Sequence, residues 1–406
     1  HARIRAEPPQ LCSRTRGHGR RRGRRAERTQ HQARPESQEP PASDSRCEDG
    51  CVDTLHDQNI RRFASDNYAG AHPEVLAAIT AANGGHQGAY GADAYTTRLD
   101  EVLAGHFGTG VDVYPVFNGT GANVVGLQSM LPRWGGVITA RTAHINVDEN
   151  GAPERIGGMK LLALDTPDGK LRPEQIDREV WGWGDEHRAQ PLVVSITQST
   201  ELGTNYTPDE VRAIANTAHA QGMHLHLDGS RIANAAASLD VPLRAFTTDA
   251  GVDVLSLGGT KNGALGAEAI VVLHTEASEG LRYLRKLNMQ LGSKQRFASA
   301  QLIALFEGEL WRESAAHANS MATRLRAALV DATATGRLTF TQETQSNAVF
   351  ARLPFAAAET LRARFGFYDW AGPFADGTVE VRWMCSWDTT TADVDAFAEA
   401  ITGALA

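Results

Sequence analysis

The sequence predicts an α/β fold: a mainly parallel central sheet with helices on both faces, followed by a smaller C-terminal α+β domain. Three observations carry this. From about residue 61, short β-rich runs alternate with longer helical patterns, as parallel strands joined by crossovers require. PLVVSIT at 191–197 is a continuous apolar run, the mark of a strand covered on both faces. Past about residue 292 the order changes to a long helical stretch and then clustered strands.

Taken in order, VDVYPVF at 111–117 reads as a strand, and NGTGANVVGLQSML then opens a helix. After PLVVSIT, Thr207, Pro208 and Glu210 form a capping box with Pro at the first helical position. That helix runs to Gly222, where glycine can end it. MHLHLD, VDVLSL and EAIVVL (268–273) follow as strands. The second domain begins with one long helical stretch from ASAQLIALF to LRAAL. It continues through TFTQ, NAVFARL, a helix around LRARFG and the strand VEVRWMCSW, and closes on a helix from about Thr391. The expected division is a tail at 1–60, a large domain at 61–291 and a small domain at 292–406. No internal repeat is visible.

Composition sets the limits. The 406 residues suffice for two or three domains with ample core, and no apolar run approaches the roughly 20 residues that span a bilayer. Net charge is −8, yet residues 1–50 hold 12 Arg against 7 Asp and Glu, so the remainder carries −13. An acidic body argues against nucleic-acid binding by the fold itself. The first segment, with GRRRGRR at 19–25, is rich in Arg and Pro without apolar periodicity and is expected to be disordered. It reads as a polybasic arm, an organellar address or an upstream extension, and no catalytic role is assigned to it. Cys12, Cys47 and Cys51 lie in it and only Cys385 lies in the body, which suits a reducing, cytoplasmic compartment. CEDGC lacks nearby third and fourth ligands, so no metal site is assigned.

The chemistry is carried by a pair. Asp228 ends the strand in MHLHLDGSRIAN, and Lys261, 33 residues later, stands just past the strand in VDVLSLGGTKNGALGAE. Pyridoxal phosphate (PLP) needs an amine for its aldehyde and a carboxylate that keeps its pyridine nitrogen protonated. Gly258, Gly259, Asn262 and Gly263 around Lys261 would let a planar ring approach and leave the amine partly desolvated. In FNGTGAN, the backbone of Gly119, Thr120 and Gly121 and the Thr hydroxyl face a helix N-terminus, a natural phosphate seat; a plain strand–helix turn is the rival reading. The spacing is not GxGxxG, which weakens a dinucleotide reading. His144 is open to ring stacking, proton transfer or a structural bond to backbone. Arg231 and Arg382 are candidates to grip an amino-acid carboxylate.

From about residue 61 onward the chain resembles the L-threonine aldolase family, a PLP-dependent group of the aspartate-aminotransferase-like fold (fold type I). The resemblance rests on FASDNYAGAHPEV, GAYGAD, FNGTGAN, AHINVDENGAPE, SITQSTELGT, HLDGSRIAN, GGTKNGALGAEA and VEVRWMCSW, in that order over about 320 residues. It is nearest the branch with TKNG at the lysine, described as low-specificity threonine or phenylserine aldolases. Retro-aldol cleavage of L-threonine, L-allo-threonine or a related β-hydroxy-α-amino acid to glycine and an aldehyde is what it implies. Lys261 would be the Schiff-base lysine, Asp228 the partner of the pyridine nitrogen and His144 the stacking residue. Gly119 and Thr120 would touch phosphate with Gly121 adjacent, and Gln198 would stand near the phenolic oxygen.

The same resemblance places the substrate carboxylate on Ser65, Arg231 and Arg382, with Arg231 also among the cofactor's contacts. His187, eight residues before Ser195, would be a second active-site histidine for the β-hydroxyl. Lys294 and Arg296 would reach a phosphate across a subunit interface, in a homodimer or homotetramer. Two departures are visible: Ser230 where Ala is usual, and TKNGALGAE in place of SKGLxAPVG, which leaves substrate preference open. Two rival functions remain: a PLP-dependent β-eliminating amino-acid lyase, and a non-catalytic nucleic-acid-binding protein acting through the Arg-rich tail.

Overall fold

The computed structural model describes residues 54–406. The CEDGC spacing, the GRRRGRR run and nearly all of the segment read as a tail therefore lie outside the described residues.

Two helices, α1 (Pro73–Ala82) and α2 (Ala94–Phe107), lead into a seven-stranded sheet. Its first half is β1 (Asp112–Val116), α3 (Gly119–Ser129), β2 (Gly135–Ala140), the short helices α4 (His144–Val147) and α5 (Ala152–Arg155), and β3 (Lys160–Leu164). Then come α6 (Pro173–Glu179), β4 (Gln190–Thr197), α7 (Pro208–Ala220), β5 (His224–Gly229), α8 (Ile232–Leu239), β6 (Val254–Gly258) and β7 (Glu268–Val272). The strand order is β1-β7-β6-β5-β4-β2-β3. Pairing is parallel from β3 to β6, while β7 runs antiparallel to both its neighbours. Every residue of β2, β6 and β7 is buried, as continuous apolar runs in a doubly covered sheet demand. Pro115 sits in β1, which is an edge strand, where a missing ladder donor costs least.

The capping box on α7 forms as expected: Glu210 N donates to Thr207 Oγ1 at 3.2 Å and Thr207 N to Glu210 Oε2 at 2.8 Å. Gly222 follows with φ +73°, a left-handed stop that glycine adopts without a Cβ penalty.

The remaining elements are α9 (Leu281–Leu287), α10 (Arg296–Phe306), α11 (Leu310–Ala328), α12 (Val330–Thr333), β8 (Thr339–Phe340), β9 (Ala348–Pro354), α13 (Phe355–Phe365), β10 (Tyr368–Ala371), β11 (Thr378–Met384) and α14 (Thr391–Leu405). The four strands form an antiparallel sheet of order β10-β11-β9-β8. The single long helix expected at the start of this region is two, α10 and α11, separated at Glu307–Glu309 around Gly308.

Two apolar cores meet within α11. The larger one takes Ala298, Leu302, Leu305 and Phe306 of α10 and Trp311 and Ala315 of α11. The smaller one starts at Met321, Ala322 and Leu325 and gathers β9, β11, α13 and α14. The boundary between cores thus falls well after residue 292, because the inward faces of α10 and of the first turns of α11 pack with the large sheet. Phe63 joins the smaller core, stacked on Phe397 at 4.3 Å between ring centroids.

Candidate active site

The carboxyl ends of parallel strands are where an open α/β sheet leaves a crevice. Here that crevice is a cavity of about 380 Å³ whose lining includes Asn118, Gly119, Thr120, His144, Asp228 and Lys261. Lys261 stands in a 3₁₀ turn, Thr260–Asn262, directly after β6. Glu268, the first residue of β7, ties that turn down by accepting from Gly259 N at 2.9 Å and Thr260 N at 3.3 Å. A Cβ on Gly258 would lie 2.5 Å from the Ser230 carbonyl oxygen. This glycine is required by the approach of two backbones, not by a planar ring. Among the described residues the Lys261 amine has no hydrogen-bond partner. Burial, then the Arg231 guanidinium, lower its pKa, outweighing Asp66, Asp228 and Glu268.

Asp228 is 4% exposed. Burial acts to raise its pKa, but Lys261, the Asn123 amide and His144 together hold it below the usual carboxylate value. Its Oδ1 accepts from Ser230 N at 3.0 Å and its Oδ2 from Asn123 Nδ2 at 2.9 Å. The Ser at 230 therefore contributes through its backbone, which an Ala would do equally.

His144 opens the short helix α4 and pairs through Nδ1 with Glu149 Oε1 at 2.9 Å. That bond raises the imidazole pKa, against the effect of burial. His144 N donates to Glu201 Oε1 at 2.8 Å. Glu201 is pushed up to about 7 by burial and by Asp228, and its Oε2 is buried without a hydrogen-bond partner.

At the start of α3, Asn118 Oδ1 accepts from Gly121 N at 2.7 Å. Gly121 is therefore a capped turn residue, and a Cβ there would lie 2.3 Å from the Gln290 side chain. The helix N-terminus presents Gly119 and Thr120 to the cavity instead.

Arg231 and Asp66 form a buried bidentate pair, Nε to Oδ2 at 2.7 Å and Nη2 to Oδ1 at 2.9 Å. Asp66 also accepts from Asn347 Nδ2 at 3.2 Å. Nε and Nη2 are thereby engaged, Nη2 also reaching Met384 Sδ at 3.3 Å, so the first role of Arg231 is to hold the 63–67 segment to the sheet. Arg382 differs. Its guanidinium lies over the Trp370 ring, 5.1 Å from the centroid, and its Nε is buried without a hydrogen-bond partner. Burial and then Arg231 push it down to about 10, the signature of a cation short of an anion. Ser65 is half-buried; its Oγ accepts from Asn67 N at 3.2 Å, and Asn67 lines the cavity.

Of the expected residues, Gly119, Thr120, His144, Asp228 and Lys261 line this cavity, whereas Ser65, Gly121, Arg231, Arg382, Gln198 and His187 do not. Gln198 is fully buried with its amide closed on the backbone of Tyr206, Nε2 donating to the carbonyl at 2.8 Å and Oε1 accepting from the N–H at 2.9 Å. One Nε2–H is left over, but the side chain is sealed from the cavity, whose lining does not include it. His187 precedes β4, whereas the cavity lies beyond the strands' carboxyl ends. Eight strand residues span about 26 Å, so His187 does not reach the cavity of its own chain. It lines a separate surface depression with Lys160, Trp181 and Arg188. Asp66, Asn123, Glu149, Glu201 and Glu268 were not singled out from the sequence. All five lie in the segments FASDNYAGAHPEV, FNGTGAN, AHINVDENGAPE, SITQSTELGT and GGTKNGALGAEA, which was the available signal.

The described geometry can be set beside known proteins. A family model described as beta-eliminating lyase matches residues 62–354. The low specificity L-threonine aldolase of Pseudomonas aeruginosa is 42% identical over 333 residues, covering 82% of this chain and 94% of that protein. This chain belongs to the low-specificity L-threonine aldolase family. Its structure is similar to that of a Leishmania major threonine aldolase, with a TM-score of 0.80 at 30% identity, covering 85% of this chain and all of the other. The Oryza sativa protein TDC, solved with PLP and tryptamine, matches with a TM-score of 0.67 over 85% of this chain and 83% of the other; at 16% identity it shows the fold alone, fold type I.

The donor set fits pyridoxal phosphate. A half-buried amine with no hydrogen-bond partner among the described residues, a buried anion at a neighbouring strand end, an imidazole and an open helix N-terminus all face one cavity.

Proposed function

We propose that this protein is a PLP-dependent aldehyde-lyase that cleaves an L-β-hydroxy-α-amino acid of the threonine, allo-threonine or phenylserine kind into glycine and an aldehyde. The observation that carries the reading is the Lys261 amine, free of hydrogen bonds, sharing a cavity with the buried Asp228 carboxylate.

Bound there, the cofactor supplies an aldehyde for Lys261 and a ring that accepts the electrons of the breaking Cα–Cβ bond. Gly119 and Thr120 would hold its phosphate at the N-terminus of α3, and Asp228 would keep its pyridine nitrogen protonated. Arg382, a half-buried cation short of an anion, would receive the α-carboxylate, with Ser65 and Arg231 Nη1 as further donors. That grip would fix the orientation of the substrate in the cavity. Orientation of this kind contributes on the order of 7–11 kcal/mol. His144 Nε2 takes the β-hydroxyl proton while Nδ1 stays on Glu149.

The test is product identity. Incubation with L-threonine, L-allo-threonine and phenylserine is expected to yield glycine with acetaldehyde or benzaldehyde, and Lys261→Ala to abolish it. The description of the matched family favours β-elimination as a second reading; pyruvate and ammonia in place of glycine would establish it. A role for residues 1–55 in nucleic-acid binding lies outside the described residues. Trimming them is expected to leave turnover intact.

The same reading places the protein in the cytoplasm, with Cys385 buried and reduced, and in a homodimer or homotetramer. Supporting the latter, Phe117 (48% exposed) and Leu265 (64%) line the cavity, and Met289 (76%) is more exposed still. A second copy would cover such an apolar rim and bring Lys294 and Arg296 near its phosphate. Light scattering of the purified protein decides the assembly. No helix among the described residues is long and apolar enough to cross a membrane.

A further inference from the structure

Along the cavity wall runs a chain of contacts in which the reaction above leaves one member, Asn123, without a purpose. Asn123, in α3, is 2% exposed. Its one amide nitrogen donates twice, to Asp228 Oδ2 at 2.9 Å and to Glu149 Oε1 at 2.9 Å. Glu149 Oε1 is also the atom paired with His144 Nδ1 at 2.9 Å. The two acceptor oxygens share one nitrogen and so lie within about 6 Å of each other, close enough for two buried carboxylates to oppose one another's ionisation. A primary amide answers this with two N–H bonds from one atom and no charge of its own.

We propose that Asn123 is a positioning residue. Its amide clamps Asp228 and Glu149 together as anions, and through Glu149 it sets His144 with the proton on Nδ1 and the lone pair of Nε2 toward the cavity. One side chain thereby links the group under the cofactor's ring nitrogen to the group at the ring's face. The part of this that concerns the β-hydroxyl rests on the aldolase reading; the clamp does not.

The other titratable groups facing the clamp are Lys261 from the turn after β6, His226 on β5 and Glu201 from the loop after β4. None of these is changed by substitution at 123. Asn123→Ala removes one charge-assisted bond from each carboxylate. With that N–H gone, Glu149 Oε1 is left to His144 Nδ1, whose bond to it already raises the imidazole and now strengthens. The His144 titration midpoint moves up, not down, by about one unit, the equivalent of a single charge-assisted hydrogen bond. Asp228 also loses a donor, and PLP should bind about tenfold or more weakly. Val125→Ala is the packing control. Val125 is fully buried, two residues along α3 and about 200° round the helix from Asn123.

The experiment titrates His144 in protein labelled with ¹⁵N-histidine and free of cofactor, assigning its signal by loss in His144→Gln, and measures PLP dissociation separately. The expected result is an Nδ1–H tautomer in the parent and a raised midpoint with weakened PLP binding in Asn123→Ala, with neither change in Val125→Ala. The acid limb of kcat/KM should rise in step. Should the alanine variant not fold, Asn123→Asp keeps the shape yet cannot donate to both carboxylates, and must raise the midpoint as well. A His144 midpoint and a PLP affinity that match those of Val125→Ala in both Asn123 variants would overturn the proposal. The titration and PLP binding need no substrate. Absence of retro-aldol turnover alongside a shifted midpoint would therefore sink the aldolase reading and leave the clamp standing.

Discussion

Glu149→Gln keeps the outline of the side chain and deletes the anion on which His144 Nδ1 rests. The imidazole pKa is raised by that bond, so its loss lowers it. A base must be unprotonated to work, and the acid limb of kcat/KM should therefore move to lower pH. The weaker base should also cost on the order of 10²-fold in kcat, which a pH–rate profile reads directly. Asp66→Asn tests a different kind of residue. It leaves Arg231 buried with no counter-charge, and about 3–5 kcal/mol of stability should go, measured by urea denaturation. At this scale the sequence was partly readable. Lys261 and Asp228 could be named because a cofactor's chemistry dictates residue types at strand ends. Asn123, Asp66 and Glu149 could not, because each is defined by a partner brought to it by folding: Asn123 meets Asp228 across 105 residues and Asp66 meets Arg231 across 165.

Among the elements, the end of β6 is packed backbone against backbone. Gly258→Ala would press a methyl group against the Ser230 backbone, two residues after Asp228. The expected cost is about 1–3 kcal/mol by overpacking, with weaker PLP binding because the end of β5 is displaced. Thermal melts with and without PLP separate the two effects. Strands and capped helices were legible here because their signals are local: the apolar run of β4, and the Thr207–Glu210 box on α7 with Gly222 beyond it. What failed was the direction of side chains after a strand ends. Gln198 follows β4, where a cofactor contact was expected, yet its amide turns away to Tyr206. His187 kept its sequence distance from Ser195 and lies at the wrong end of the strand. The break between α10 and α11 was similarly hidden, since helix-forming residues flank Gly308 on both sides.

Across the whole molecule, stability should depend on pH through His226. It is fully buried between Ser195 Oγ at 2.9 Å and Ser256 Oγ at 3.0 Å, and burial lowers it to about 4. Its unfolded value is near 6.5, so between these two the unfolded chain binds more protons. Stability is then lost as pH falls from about 6.5 to about 4, by up to about 3 kcal/mol. Denaturation at several pH values should show that slope, and His226→Asn should flatten it. The alternation of strands and helices revealed the architecture because it follows from chain-wide periodicity. The division at residue 292 did not survive as a boundary between cores, since nothing local tells a helix which of two cores its face will join.

Helix α11 carries a last implication. Trp311 and Ala315 are set in one apolar mass and Met321 and Leu325 in another, along a single unbroken rod of 19 residues. Neither mass can melt without stripping half of that rod of its packing, so heat should reach both together. Calorimetry on the loaded protein should record one endotherm; two separated peaks would mean that the rod snaps near Asn319.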